Sequence, residues 1–270
     1  IGPGADAAPL HNAFSGALIG HAGGAALDVA TMRQHAIATG GPALRAMTFH
    51  DRARMLKALA QYLNDRKESL YELSYLTGAT RADSWIDIDG GIGTMFVFAS
   101  KGRREMPDAH VYLDGEVEML SRKGSFVGQH VCTPLQGVAL HINAFNFPVW
   151  GMLEKLAPTL LAGVPAIVKP ATATGYLTEA AFRMIIESGL LPDGAVQLIS
   201  GGVGPLLDHL AHGYLLLSFA AGMFVEPAPG PVLANTGLNA LSFQKPVTPG
   251  SKITVSLTVK RKTRRTDEYG

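Results

Sequence analysis

The chain has 270 residues, of which 47% are apolar and 17% charged, with a formal net charge of +1. That length holds one large domain or two ordinary ones, and the apolar share suffices for a sizeable core and lies far from a disordered composition. The near-zero charge makes no case for nucleic acid, and a single cysteine argues against a disulfide framework and fits a reducing compartment.

Taken in order, residues 1–24 are rich in Gly and Ala and read as loop with one short strand. No basic segment followed by an apolar core opens the chain, so no signal peptide is expected. Residues 27–39 form a helix that Gly40-Gly41-Pro42 should end. Thr48-x-x-Asp51 is a near capping box, and Met55, Leu56, Leu59, Tyr62 and Leu63 supply the buried stripe of the helix it opens. A helical stretch over 69–76 stops at Thr77-Gly78. A third helix covers 82–98 despite Gly90, Gly91 and Gly93. Residues 107–127 alternate poorly and read as loop or hairpin, followed by a short strand at 129–132.

The stretch 137–174 carries the strongest pattern. Val138–Ile142 and Ala166–Val168 are short apolar runs bounded by Gly and Pro, as buried parallel strands are. Met152, Leu153, Leu156, Leu160 and Leu161 recur between them at helical spacing, which makes one βαβ unit. Ligands of such units lie beyond the carboxyl ends of the strands, where Asn143, Asn146 and Lys169 fall. A helix over 178–187 ends at Gly189. Residues 196–199 form a further strand, and Ser200-Gly201-Gly202-Val203-Gly204 leads into 206–210. This is half of a nucleotide-binding fold.

His-Ile-Asn-Ala-Phe-Asn-Phe-Pro at 141–148, Glu154–Pro158, Ala162-Gly163 and Lys169-Pro-Ala-Thr-Ala-Thr174 resemble the aldehyde dehydrogenase superfamily in order and spacing. Together with Thr80–Trp85 they are most similar to the PaaZ-like branch, bifunctional proteins of phenylacetate breakdown. In that branch an aldehyde dehydrogenase is fused to a MaoC-like hot-dog hydratase. Beyond residue 210, Ala211-His212-Gly213-Tyr214, the segment 231–235 and Lys245–Gly250 resemble the hydratase part. Residues 253–260 alternate like an antiparallel strand with one wet face. The resemblance thus implies an α/β, Rossmann-like partial aldehyde dehydrogenase domain over 1–210. A partial α+β hot-dog domain follows over 211–270, with a helix at 214–224 and strands at 238–244 and 252–262. What the family carries between the two parts is missing.

The resemblance also implies roles. Asn146 matches the oxyanion-hole asparagine, Lys169 the lysine that contacts the adenosine ribose of the cofactor, NADP, and Gly213 a backbone N–H near a thioester carbonyl. Ser200, Gly201 and Gly204 would meet phosphate through their backbone. The plainer alternatives are a loop asparagine, a solvated lysine, a tight glycine turn and, for His212-Gly213, a helix start. Cys132 is the only cysteine, lies upstream of Asn146 in a strand, and reads as structural rather than as the nucleophile. Asp208-His209 belongs to a dehydrogenase helix and not to an acid–base pair. Lys260–Arg265 reads as a solvated strand end, with coenzyme A phosphates as the minority reading. No metal site is expected. The family opens an oxepin-type ring as a CoA thioester and then oxidises the released semialdehyde, so aldehyde and acyl-CoA substrates and a homo-oligomer are implied. Two readings follow: a member of that enzyme family, or a non-catalytic remnant that at most binds nucleotide. The longest apolar stretch, 213–225, is too short to span a bilayer, and a cytoplasmic protein with no membrane partner is the expectation.

Overall fold

The computed structural model describes residues 7–23 and 27–202. The hot-dog elements expected beyond 210, and with them Gly204, His212 and Gly213, lie outside the described residues.

Two strands, β1 (Ala8–His11) and β2 (Leu18–Ala22), pair antiparallel where loop and one strand were expected. The turn between them depends on Asn12, whose Oδ1 accepts from the N–H groups of Phe14 and Ser15, a local bond that Asn supplies in turns. The first helix corrects the sequence reading. α1 (Val29–His35) runs through a π-helical turn over Ala36–Gly40 straight into α2 (Gly41–Arg45). Pro42 does not stop the chain because it stands in the first turn of α2, where its missing N–H has no helical partner to lose. Gly40 is there for contact: a Cβ on it would lie 2.0 Å from the carbonyl oxygen of Gly194.

The Thr48–Asp51 capping box forms in full, and α3 (Phe49–Asn64) buries Met55, Leu56, Leu59 and Leu63, with Tyr62 half-buried. α4 (Glu68–Ser74) passes through a 3₁₀ turn to Gly78, whose φ of +86° only glycine adopts without strain. α5 (Arg81–Arg104) runs six residues past the C-terminal end of the expected 82–98, and a second full capping box, Thr80 with Asp83, fixes its start. α5 packs along α3 on one side and α6 on another. β3 (Tyr112–Met119) and β4 (Val127–Cys132) form an antiparallel hairpin, which settles the loop-or-hairpin alternative and starts the expected 129–132 strand earlier.

The βαβ reading holds. β5 (Ala139–Ile142), α6 (Trp150–Leu161), β6 (Ala166–Lys169), α7 (Gly175–Glu187) and β7 (Val196–Leu198) build a parallel sheet ordered β5-β6-β7. β6 is buried along its whole length, as the centre of a doubly covered parallel sheet must be. The five apolar positions expected to face inward from α6 all do so. One hydrophobic core joins α3, α5, α6, α7 and the sheet.

Arg52, on the first turn of α3, is fully buried in this core. Its Nε donates to Leu161 O at 2.8 Å, and its Nη1 to Leu44 O at 3.0 Å and Met47 O at 2.7 Å. One guanidinium therefore satisfies carbonyls at the ends of both α2 and α6, groups a helix cannot pair for itself. The Phe49 ring lies 4.6 Å from its carbon.

Candidate functional site

The carboxyl ends of β5, β6 and β7 bring the two halves of the 141–174 pattern together. The loop leaving β5 contains Asn143, Asn146 and Pro148, and three other elements hold it. Thr174 Oγ1 donates to Phe145 O at 2.8 Å, and Thr178 Oγ1, on α7, donates to Pro148 O at 2.9 Å. From α5, the Asp87 carboxylate accepts from Val149 N at 3.1 Å and Trp150 N at 2.7 Å. The sequence motif Lys-Pro-Ala-Thr-Ala-Thr thus ends in a hydroxyl that fixes the Asn146 loop from below. Sequence reasoning did not single out Asp87, Thr174 or Thr178. Only the position of Thr174 at the end of that motif carried a signal.

Asn146 is exposed and lines a cleft of about 360 Å³ with Thr77, Asp83, Asp87, Phe147 and Thr174 among its walls. The start of α5 forms the opposite wall, so the side chain is presented to a space a small molecule can enter. Phe147 and Trp150 pack with ring centroids 5.9 Å apart at the base of the loop.

Lys169 stands at the end of β6 and is buried, with Nζ donating to Pro170 O at 2.6 Å. Burial lowers its pKa from the usual lysine value. An ammonium has three donors, and Pro170 takes one. Beside it, Asn143 donates its backbone N–H to Lys169 O at 3.0 Å, while its buried side-chain amide has no hydrogen-bond partner on either atom. Unpaired buried amides cost about 1–3 kcal/mol. Spare donors on Lys169 and an unsatisfied amide at adjacent strand ends fit a hydroxyl-rich ligand such as a ribose. After β7, Ile199 N donates to Val168 O, Gly201 takes a φ of +100°, and its carbonyl accepts from Thr172 Oγ1 at 3.2 Å. Ser200 and Gly201 therefore sit at the same sheet end as Lys169. Gly202 has open space where a Cβ would be.

Cys132 is exposed on β4, paired opposite Tyr112 in the hairpin, a different sheet from the one that carries the Asn146 loop. Among the described residues no group of three or more His, Cys, Asp or Glu could hold a metal ion, and no helix is long and apolar enough to cross a membrane.

A parallel sheet whose strand ends carry a loop asparagine, a buried lysine and a glycine turn is the opening of a nucleotide-dependent dehydrogenase fold. The chain belongs to the aldehyde dehydrogenase family, whose model matches residues 5–213, and a MaoC-like domain matches residues 202–269. It is 42% identical over 185 residues to the 3,4-dehydroadipyl-CoA semialdehyde dehydrogenase of Aromatoleum evansii, covering 68% of this chain and 36% of that protein. It is 52% identical over 56 residues to the Protein MaoC of Klebsiella aerogenes, 21% of this chain and 17% of that protein. Among solved structures, a NAD-dependent benzaldehyde dehydrogenase from Corynebacterium glutamicum superposes with a TM-score of 0.65 at 21% identity, over 77% of this chain and 44% of that one. The chain spans about a third of the length of the semialdehyde dehydrogenase it matches. An aldehyde dehydrogenase portion followed by a MaoC-like portion is the arrangement of a PaaZ-like fusion.

Proposed function

We propose that this chain carries the cofactor-binding opening of an NADP-dependent semialdehyde dehydrogenase of CoA-linked intermediates, followed from about Ala211 by the closing part of a MaoC-like hydratase. The observation that supports it is the convergence of the Asn146 loop, Lys169 and the Ser200–Gly201 turn at one sheet end. In this reading Lys169 and Asn143 hold the ribose, and the backbone around Ser200, Gly201 and Gly204 meets phosphate. Asn146 offers its amide N–H to the oxygen that becomes negative when an aldehyde is attacked. The bound nicotinamide supplies the hydride acceptor. Gly213 belongs to the hydratase part, and its N–H serves a thioester carbonyl there. A cytoplasmic location and assembly through the MaoC-like part into a homo-oligomer complete the proposal.

Aldehyde oxidation also needs a thiolate nucleophile, and Cys132 is exposed in a hairpin sheet of its own. By itself this chain binds nucleotide and does not turn aldehyde over. Titration of NADP against wild type and Lys169→Ala tests the binding reading. The variant should lose at least tenfold in affinity, and equal affinity would move the site elsewhere.

A further inference from the structure

α6 begins at Trp150, with Val149 as its cap residue and no side chain of its own loop accepting from the first N–H groups. Valine cannot cap, and an uncapped buried helix start is costly. The acceptor comes instead from the second turn of another helix. Asp87, 4% exposed on α5, takes Trp150 N at 2.7 Å and Val149 N at 3.1 and 3.2 Å through its two oxygens. One turn further along α5, a Cβ on Gly91 would lie 2.9 Å from Trp150 Cα, and one on Gly90 would lie 2.7 Å from the Trp150 ring. Asp87, Gly90 and Gly91 thus form one seat that admits the backbone and ring of Trp150. Asp89, two positions along and on another side of α5, is engaged with Lys67 and Tyr71.

We infer that Asp87 is the positioning residue of the aldehyde-binding loop, fixing Asn146 by clamping the chain three and four residues after it. The inference rests on the reading of Asn146 as the oxyanion donor. Thr174 and Thr178 hold the loop by its carbonyls, while the Asp87 carboxylate holds it by the N–H groups at its far end, where it enters α6. Asn146 and Asp87 line the same cleft, so a shift at the clamp is a shift at the wall. Burial raises the Asp87 carboxyl to about 6, against the two backbone bonds that favour its ionised form. The charges around it are engaged elsewhere: Asp83 in the Thr80 cap, Asp89 with Lys67, Glu154 with Lys155.

Residue-resolved amide exchange and side-chain amide resonances of the full chain test this without any turnover. In Asp87→Asn, exchange at Val149 and Trp150 should quicken about tenfold while Leu156 and Leu160 change less than twofold, the size of a lost cap. The Asn146 side-chain amide signals should broaden, and Asp87→Glu should restore them in part. Unchanged exchange at the two amides, or equal quickening along all of α6, overturns the inference. So does a lost clamp that leaves the Asn146 signals as they were. If Asp87→Asn does not fold, wild-type Val149 and Trp150 amide shifts followed together should titrate with a common midpoint near 6, and a flat response overturns the clamp. Failure of the oxyanion reading itself would show separately, as an Asn146→Ala chain that binds a short-chain carboxylate, which presents a like anionic oxygen, as well as wild type does.

Discussion

Replacing Arg52 by methionine isolates what one buried cation does for the helical layer. Methionine fills a similar length with apolar atoms but leaves Leu161 O without a donor, and leaves Leu44 O and Met47 O with only their longer contacts, to Met47 N and His110 Nδ1, both at 3.3 Å. The orphaned carbonyl costs about 1–3 kcal/mol, and each of the other two bonds lost about 1 kcal/mol more. Against this stands relief from burying a guanidinium that has no carboxylate partner in its bonds and whose Nη2 has no partner. No uncompensated charge is left behind, because all the partners are carbonyls, and the expected net loss is about 2–4 kcal/mol. For a folded unit of this size it lowers Tm by about 5–15 °C. Arg52→Lys should still lose roughly 2 kcal/mol or more, since one ammonium cannot span carbonyls on α2 and α6. Calorimetry with chemical denaturation gives both numbers. A loss below about 1 kcal/mol in Arg52→Met would refute the idea that this side chain ties the two helix ends.

Further expectations follow from other sites. Gly91→Ala should destabilise by about 1–3 kcal/mol by pushing on the Trp150 backbone, whereas Gly93→Ala, with nothing within 4 Å, should gain up to about 1 kcal/mol of helix propensity; thermal melts of the pair check both signs. Burial and Lys155 lower the His141 pKa to about 4, so its contribution is present above the unfolded value near 6.5 and is lost as pH falls towards 4, by about 3 kcal/mol. Asp87, raised to about 6, acts with the opposite sign, its contribution being present below 3.8 and lost as pH rises through 6, again by about 3 kcal/mol. Between pH 4 and 6 the two nearly cancel, and stability–pH curves should tilt in opposite directions in His141→Gln and Asp87→Asn. Cys132→Ser should leave nucleotide binding and stability unchanged, and an NADPH burst that vanishes in this variant would contradict the proposed inactivity of the chain.

The parts of the fold legible in the sequence were those fixed by near neighbours. The apolar runs of β5 and β6, the stripe of α6 and the Thr48 cap depend on residues close together in sequence, and all four formed as read. The failures came where a distant contact decides. Gly40-Gly41-Pro42 reads locally as a stop, yet Gly40 is required by Gly194, more than 150 residues away, and the helix runs on. Asn146 and Lys169 were legible through their motif, and the structure brings their loop and strand end together. Asp87 and Arg52 were not, because an acid or base in a helical stretch looks like a solvated face until its partner helix is known. Their partners are backbone groups, which have no signature in sequence at all.

The glycine seat on α5 is made long before its occupant. Synthesis completes α5 while α6 is still to come, and in that interval Gly90, Gly91 and Gly93 leave the middle of a 24-residue helix without side chains to hold it. Each glycine costs about 1 kcal/mol relative to alanine, so the centre of α5 is weak until Trp150 arrives. Docking of α6 should then firm the centre of α5, and the Asn146 loop, which enters α6, should be ordered with it. In refolding followed by pulsed exchange, the amides around Gly91 should become protected with those of β5 and β6, and later than those of α3.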